Sequence, residues 1–379
     1  MRFHLSGELE MTRSVVRHFA EKEVAPNAEE RDETEQFERA LFGRMGELGL
    51  TGIPIPEQYG GAGSDILTYA VVLESLSQVC ASTAAVLAAH TAFSAWPVYK
   101  FGSEELKQQY LNDMACGVKL GACGFPAVSR DTSLKANGII ATADGAGFVL
   151  NGANSFVINA GAADIYIVYA QLPSISRKSS LSAFLIESGT PGCYIGNKVR
   201  KLGLRSLMTA ELVFEHCKVA KKNRLGKEGQ GREISGSVID IGHISAAAQA
   251  VGIAQGALEA AAAYAKERMQ FGKQIGRQQG ISFKLADMSA KIEAARLLAY
   301  QASWRMSEGL SCSREAAIAR KFAADTAVSA AIDAVQVFGG YGYMREYRME
   351  RFLRDAKCLE TDIGTGGMQT DFIYRILAE

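Results

Sequence analysis

Hydrophobic positions recur at helical spacing through the first third of the chain. Met11, Val15, Val16 and Phe19 predict an amphipathic helix that stops before Pro26. Phe37 to Leu50 predicts another, closed by Gly49 and Gly52. PIPEQYGGAGSD at 54–65 predicts a turn-rich loop, and Ser64-Asp65 is placed to cap a long helix from Ile66 to Cys80. Further helices are expected through Ala84-Ala85-Val86-Leu87 and after a capping Ser103. Near Gly117 the pattern changes. Alternation appears, β-branched residues rise and glycines lie closer together up to Gly231. Strands are predicted around 148–152, 163–170, 181–186 and 210–214, within a compact β domain of about 110 residues.

Beyond Gly231 the helical period returns. Residues 234–267, 280–308 and 313–338 form long, alanine-rich amphipathic runs, and a last run covers 367–378. Four such helices predict an antiparallel bundle. The fold class is therefore α+β: a helical domain (1–116), a middle β domain (117–231) and a C-terminal helical bundle (232–379). Between the last two helical runs lies Arg354 to Gln369, with three glycines and no proline. It is too polar for a core strand and too glycine-rich for a stable helix. Two readings stand: a surface loop, or a backbone turn whose amides and threonines line a ligand.

Composition narrows the function classes. The 379 residues exceed one compact core, so two or three subdomains are expected. Hydrophobic content of 48%, charged content of 22% and zero net charge suit an ordinary soluble protein. They argue against a nucleic-acid or membrane-surface partner. No apolar run is expected to span a bilayer, and residues 1–20 lack the apolar centre of a signal peptide. Seven scattered cysteines without CxxC spacing suggest reduced, mostly buried thiols and a cytoplasmic location. The five histidines are scattered, and no metal-ligand spacing occurs.

Three segments could carry chemistry. Arg268 in ERMQFGKQIG ends a helix beside the Phe271-Gly272 turn. An arginine fork there suits a phosphate, although a solvated helix end is the commoner use. Gln336-Val-Phe-Gly339-Gly340 closes another helix. Gly339 can be a C-cap, and a second glycine admits a diphosphate close to the backbone. The pairing follows a helix, so it is no Rossmann fingerprint. Gly226-Lys-Glu-Gly-Gln-Gly lacks the ending of a P-loop and reads as a loop between domains.

Taken together, these pieces resemble the acyl-CoA dehydrogenase family over nearly the whole chain. The resemblance rests on EQYGGAG (57–63), LNGANSFVINAGAADIYIVYA (150–170), KLGLRSLMTAELVFEHCKV (201–219), RMQFGKQIGRQQGISFKLADM (268–288), AVQVFGGYGY (334–343) and RDAK (354–357). It implies an N-terminal helical domain, a middle β-barrel domain and a C-terminal four-helix bundle, with FAD between the last two. It further implies that Arg268, Phe271, Gln279, Gln336, Gly339 and Gly340 reach the FAD of a neighbouring subunit, and that Thr365 and Gln369 touch FAD. The expected assembly is a homodimer or homotetramer. In the family, a glutamate removes the α-proton of an acyl thioester and a hydride passes to flavin N5. Electrons then usually go to an electron-transfer flavoprotein.

The chain departs from this pattern where the chemistry happens. At the family's Glu-Gly-Thr it has Ile363-Gly364-Thr365. At the alternative helix position of the glutamate it has Gly242, and the adjacent arginine is His243. The family's Thr-Glu-Pro-x-Ala-Gly-Ser-Asp is Pro126 to Ser133 here, where Thr132 keeps one hydroxyl. The Trp-Ile-Thr segment is Phe156-Val157-Ile158. Phe156 can still stack on a flavin ring, whereas Ile158 cannot donate a hydroxyl bond to it.

Three readings follow. One is an FAD-dependent oxidoreductase of acyl thioesters with another base, Asp362 first and Glu360 or His243 behind it, in specialised metabolism. Another is oxidation or elimination on a unit tethered to an acyl carrier protein. The last is a non-redox member that keeps the fold. Loss of a positioned base typically costs ~10²–10⁴ in rate.

Overall fold

The computed structural model describes residues 5–125, 138–145, 147–173, 180–360 and 373–374. The chain opens with α1 (Gly7–Phe19), α2 (Ala28–Thr34), α3 (Arg39–Glu47), α4 (Ile66–Ser77), α5 (Ala81–His90), α6 (Trp96–Phe101) and α7 (Glu104–Ala115). The expected caps are present: Asp65 accepts the Thr68 amide at 2.7 Å and Ser103 accepts that of Leu106 at 3.3 Å. A π-turn, Ala20–Val24, carries α1 on toward Pro26, and α2 follows, a helix the periodicity did not mark. A second π-turn, Thr91–Ala95, joins α5 to α6 and is fully buried.

The middle of the chain is β1 (Gly121–Gly124), β2 (Ile139–Asp144), β3 (Gly147–Ile158), β4 (Ile165–Leu172), β5 (Ser180–Glu187), β6 (Cys193–Lys198), β7 (Thr209–Ala220) and β8 (Arg224–Leu225). The anticipated strands are the cores of β3, β4, β5 and β7. The others are short or face solvent on one side, so their patterns are weak. The path runs β6-β7-β3-β1-β4-β5-β8, and β2 pairs with both β3 and β4. Strands β1, β3, β2 and β4 therefore close into a small barrel with a wing on each side.

The remainder is α8 (Gly231–Glu267), the hairpin β9 (Met269–Gln270) and β10 (Lys273–Gln274), α9 (Gln279–Ser307), α10 (Ser313–Phe338), α11 (Gly340–Tyr343) and α12 (Met349–Glu360). Helix α8 packs along α10, α9, α12 and α4, so the N-terminal helices and the bundle share one core. An 18-residue window of α8 is apolar and long enough to cross a membrane, contrary to the expectation from sequence. Since 78% of that window is buried, it serves as a core helix.

Helix α12 corrects the reading of Arg354 onward as loop. All three glycines of that stretch lie at 364, 366 and 367, past the helix. Within it, Met349, Phe352, Ala356 and Leu359 bury one face. The predicted helix at 367–378 lies outside the described residues, except that 373–374 are helical. Among the described residues, α12 is the fourth helix packed on α8 and α10.

Candidate functional site: a cavity between barrel and bundle

A cavity of about 530 Å³ lies where α5, the second π-turn, β3, the β6–β7 connection, α8 and the end of α12 meet. Backbone geometry on β3 brings Phe156 to it. The β3–β7 ladder breaks between Asn154 and Val157, which takes Phe156 out of register. Asn154 fixes the break: its Oδ1 accepts the Phe156 amide at 3.2 Å, and its Nδ2 donates to the Phe125 carbonyl at 2.6 Å. Phe156 is left 41% exposed, facing the cavity, while Ile158 is buried in the same wall.

The opposite wall is small and apolar. Ala85, Ala88 and Ala89 of α5 meet Gly242 and Ala246 of α8, with Phe93 from the π-turn. Phe93 stacks edge-on against Phe125 at 4.8 Å. Polar groups are Thr209, Ser245, Gln249 and the cations Arg200, Lys201, Arg320 and Lys357. Lys201 donates to the Leu207 carbonyl at 2.7 Å, and burial lowers its pKa. Among the described residues, no carboxylate lines this space.

Beside it, α12 is anchored by buried charge. Asp355 accepts the Leu204 amide at 2.7 Å, and burial pushes its carboxyl up to about 6. Cys358 lines the cavity, and burial raises its thiol pKa. Four of the seven cysteines are buried, Cys193 and Cys358 are half-buried and Cys116 is exposed; none forms a disulfide. His243 is held neutral, with a pKa lowered to about 3 by burial and by nearby Arg320. It does not line the cavity.

A second cleft of about 610 Å³ opens at the far end of α8. Arg268, Phe271, Gly339 and Gly340 line it, as do Gln278 and Tyr341. Phe271 sits at φ +52° and Gly272 at φ +76° in the β9–β10 turn, which leaves the Phe271 ring 91% exposed. The Arg268 guanidinium lies 5.6 Å from the Tyr341 ring and has no ion-pair partner among the described residues. Nothing lies within 4 Å of where a Cβ would stand on Gly339 or Gly340, so the backbone there borders open space. Gln279 and Gln336 are exposed at the margin and do not line the cleft. Gln278 and Tyr341 do, each next to a residue singled out from the sequence.

The two cavities share no lining residue. The sequence-predicted set therefore splits: Arg268, Phe271, Gly339 and Gly340 at the cleft, Phe156 and Ile158 at the cavity. Thr132, Asp362, Thr365 and Gln369 lie outside the described residues. Reasoning from sequence missed Phe93, Ser245 and Gln249. For the last two, the α8 spacing Gly242, Ser245, Ala246, Gln249 was an available signal.

Residues 6–118, 129–217 and 229–378 match the N-terminal, middle and C-terminal domains of acyl-CoA dehydrogenase, respectively. The chain is similar to an acyl-CoA dehydrogenase of Bacillus subtilis, at 45% identity over 99% of both chains. Butyryl-CoA dehydrogenase from Megasphaera elsdenii superposes with a TM-score of 0.95, at 40% identity over all of both chains. The prolyl acyl carrier protein oxidase AnaB gives 0.93, at 30% identity over 99% of this chain and 100% of that one. The chain belongs to the acyl-CoA dehydrogenase family. It is an oxidoreductase flavoenzyme of that kind, and its cofactor is FAD.

The residues present fit that cofactor. An arginine without a carboxylate partner among the described residues, two glycines facing open space and an exposed aromatic ring form a donor set for a nucleotide diphosphate. An aromatic side chain turned out by a bulge, beside an enclosed apolar space, suits a flat heteroaromatic ring.

Proposed function

We propose that this chain oxidises an acyl thioester without the glutamate its family uses. One observation carries the reading. The cavity beside Phe156 has no carboxylate among the described residues, and Gly242 lies where a Cβ would come within 2.6 Å of Phe93 Cε1. A glutamate side chain on α8 would have to displace the Phe93 ring. The sequence places Ile363 at the other position of the base, and an alkyl side chain accepts no proton. Asp362, one residue earlier, is the proposed substitute, acting in specialised metabolism.

Bound flavin supplies the two-electron oxidant. Phe156 would flank its ring, and Ile158 gives that ring a dry edge without a hydroxyl donor. Arg268, Gly339 and Gly340 would hold the diphosphate of a neighbouring subunit's FAD, which accounts for the separation of the two cavities. That arrangement needs a homodimer or homotetramer. Family membership supports an acyl-CoA substrate and an electron-transfer flavoprotein as acceptor.

A second reading is favoured by the likeness to AnaB, a prolyl acyl carrier protein oxidase: here the thioester is tethered to a carrier protein. One experiment tests both. Purified holoenzyme is offered one acyl group on CoA and on a phosphopantetheinylated carrier protein, with an artificial electron acceptor, and kcat/KM is compared. The carrier-protein reading requires the tethered substrate to be preferred by at least about tenfold. A colourless protein that neither binds added FAD nor gains stability from it would sink both.

A further inference from the structure

Residues 199–208 join β6 to β7 without a strand or helix of their own, yet they give the cavity six lining residues, Leu202, Leu204 and Leu207 among them. A wall made of bare loop needs a support outside itself. Leu204 sits at φ +48°, a left-handed conformation in which a leucine Cβ crowds the carbonyl that follows. Glycine or asparagine is the usual occupant of such a position. Strain of this kind persists only where the surroundings over-determine it.

Helix α12 supplies that support. Asp355, only 4% exposed, accepts the Leu204 amide on Oδ1 at 2.7 Å. The neighbouring Arg354 is paired with Asp32 and Glu350, and its Nη1 donates to the Leu202 carbonyl at 3.3 Å. Between these two bonds Gly203 lies against the helix: a Cβ there would stand 2.2 Å from the Arg354 carbonyl oxygen. The next turn of α12 adds Lys357, Cys358 and Leu359 to the same cavity. Loop and helix thus form one wall, and the Asp355–Leu204 bond joins them at the strained residue. We propose that Asp355 is a positioning residue that sets the size of acyl group the cavity admits, by holding Leu204 where its side chain limits the space. Released, Leu204 returns to extended backbone and the wall retreats. The proposal rests on the thioester reading above and adds a determinant of specificity to it. Asp355 itself does not line the cavity, so it acts only through Leu204.

The test is binding to the FAD-loaded enzyme, read anaerobically as a change in flavin absorbance. Probes are butyryl and octanoyl thioesters, each on CoA and on a carrier protein, and the ratio of their Kd values is compared between variants. Loss of folded protein, the effect of a merely structural role, leaves that ratio unmoved. Leu204→Ala and Asp355→Ala are each expected to shift it toward octanoyl by about tenfold. The double variant should shift it no further than the larger single change, because the carboxylate acts through that side chain. A wild-type ratio in Asp355→Ala, or shifts that add in the double variant, would overturn the inference and leave the thioester reading standing. If Asp355→Ala does not fold, Gly203→Ala decides. Its new Cβ pushes the loop off α12 with the carboxylate intact, and the same shift is expected; a wild-type ratio there sinks the idea equally. If no probe on either carrier perturbs the flavin, the thioester reading fails and takes this inference with it.

Discussion

Gly242 and Phe93 interlock so closely that a Cβ on the glycine would stand 2.6 Å from Phe93 Cε1 and 3.1 Å from its Cζ. The ring has little freedom to retreat, since its other side meets Phe125. Overpacking of this kind costs about 1–3 kcal/mol. Gly242→Glu should therefore lower the midpoint of chemical denaturation without raising the rate of thioester oxidation. Adding Phe93→Ala to it should cost less than the sum of the single changes, because the two sites share one space. Strict additivity would show that the ring is not what the new side chain meets.

The identity of the base gives a second prediction. Glu360 is ion-paired with Lys357 on α12, which commits its carboxylate to a surface contact. Asp362→Asn should reduce kcat by ~10² or more, whereas Glu360→Gln should change it by less than about threefold. Steady-state turnover on one thioester checks this. Equal rates in the two variants would remove Asp362 from the role.

Arg268 provides the third. Charge-assisted bonds to phosphate are worth about 1.5–3 kcal/mol, so Arg268→Ala should weaken FAD retention by roughly 10- to 100-fold. Arg268→Lys should recover only part, because an ammonium cannot form the bidentate fork. The FAD-to-protein ratio after gel filtration at increasing dilution reads this directly. Unchanged retention in Arg268→Ala would detach the cleft from the cofactor.

Asp32 on α2 and Arg354 on α12 pair at 2.7 Å, and both side chains are largely buried. Glu350 holds the same guanidinium. Breaking such a pair from one side strands the other charge, at a cost of ~3 kcal/mol. Arg354→Met should show that loss in urea unfolding, and Arg354→Met with Asp32→Leu should restore part of it. A double variant no more stable than the single would mean that α2 and α12 are joined mainly by apolar contacts.

His90 sets a pH dependence. Its Nδ1 accepts the Gly121 amide and its Nε2 donates to the Met114 carbonyl, each at 3.0 Å, so the neutral ring is built into the core. Burial lowers its pKa to about 4 from the ordinary 6.5. Between those values the unfolded chain binds a proton that the folded chain does not. This contribution is therefore complete above pH 6.5 and is lost as pH falls toward 4, by about 3 kcal/mol in all. His90→Gln should be less stable than wild type at pH 7 and should lose less between pH 7 and 5. Parallel losses in the two proteins would assign the acid sensitivity to other groups.

The order of helices, β domain and helical bundle was written in the sequence because hydrophobic periodicity is a local property. Counting along the chain from the family's motifs likewise needed no coordinates to find Ile363 before Gly-Thr and Gly242 on the long helix. Packing decided the rest, because it depends on partners far apart in the chain. Periodicity could not show that a bulge turns Phe156 outward, that Phe93 fills the space above Gly242, or that Arg354 to Glu360 continues a helix whose buried face packs on α8 and α10. Least visible of all was the bond from Leu204 to Asp355. A strained backbone is held by whatever packs on it, here a carboxylate 151 residues away, and only the folded chain brings the two together.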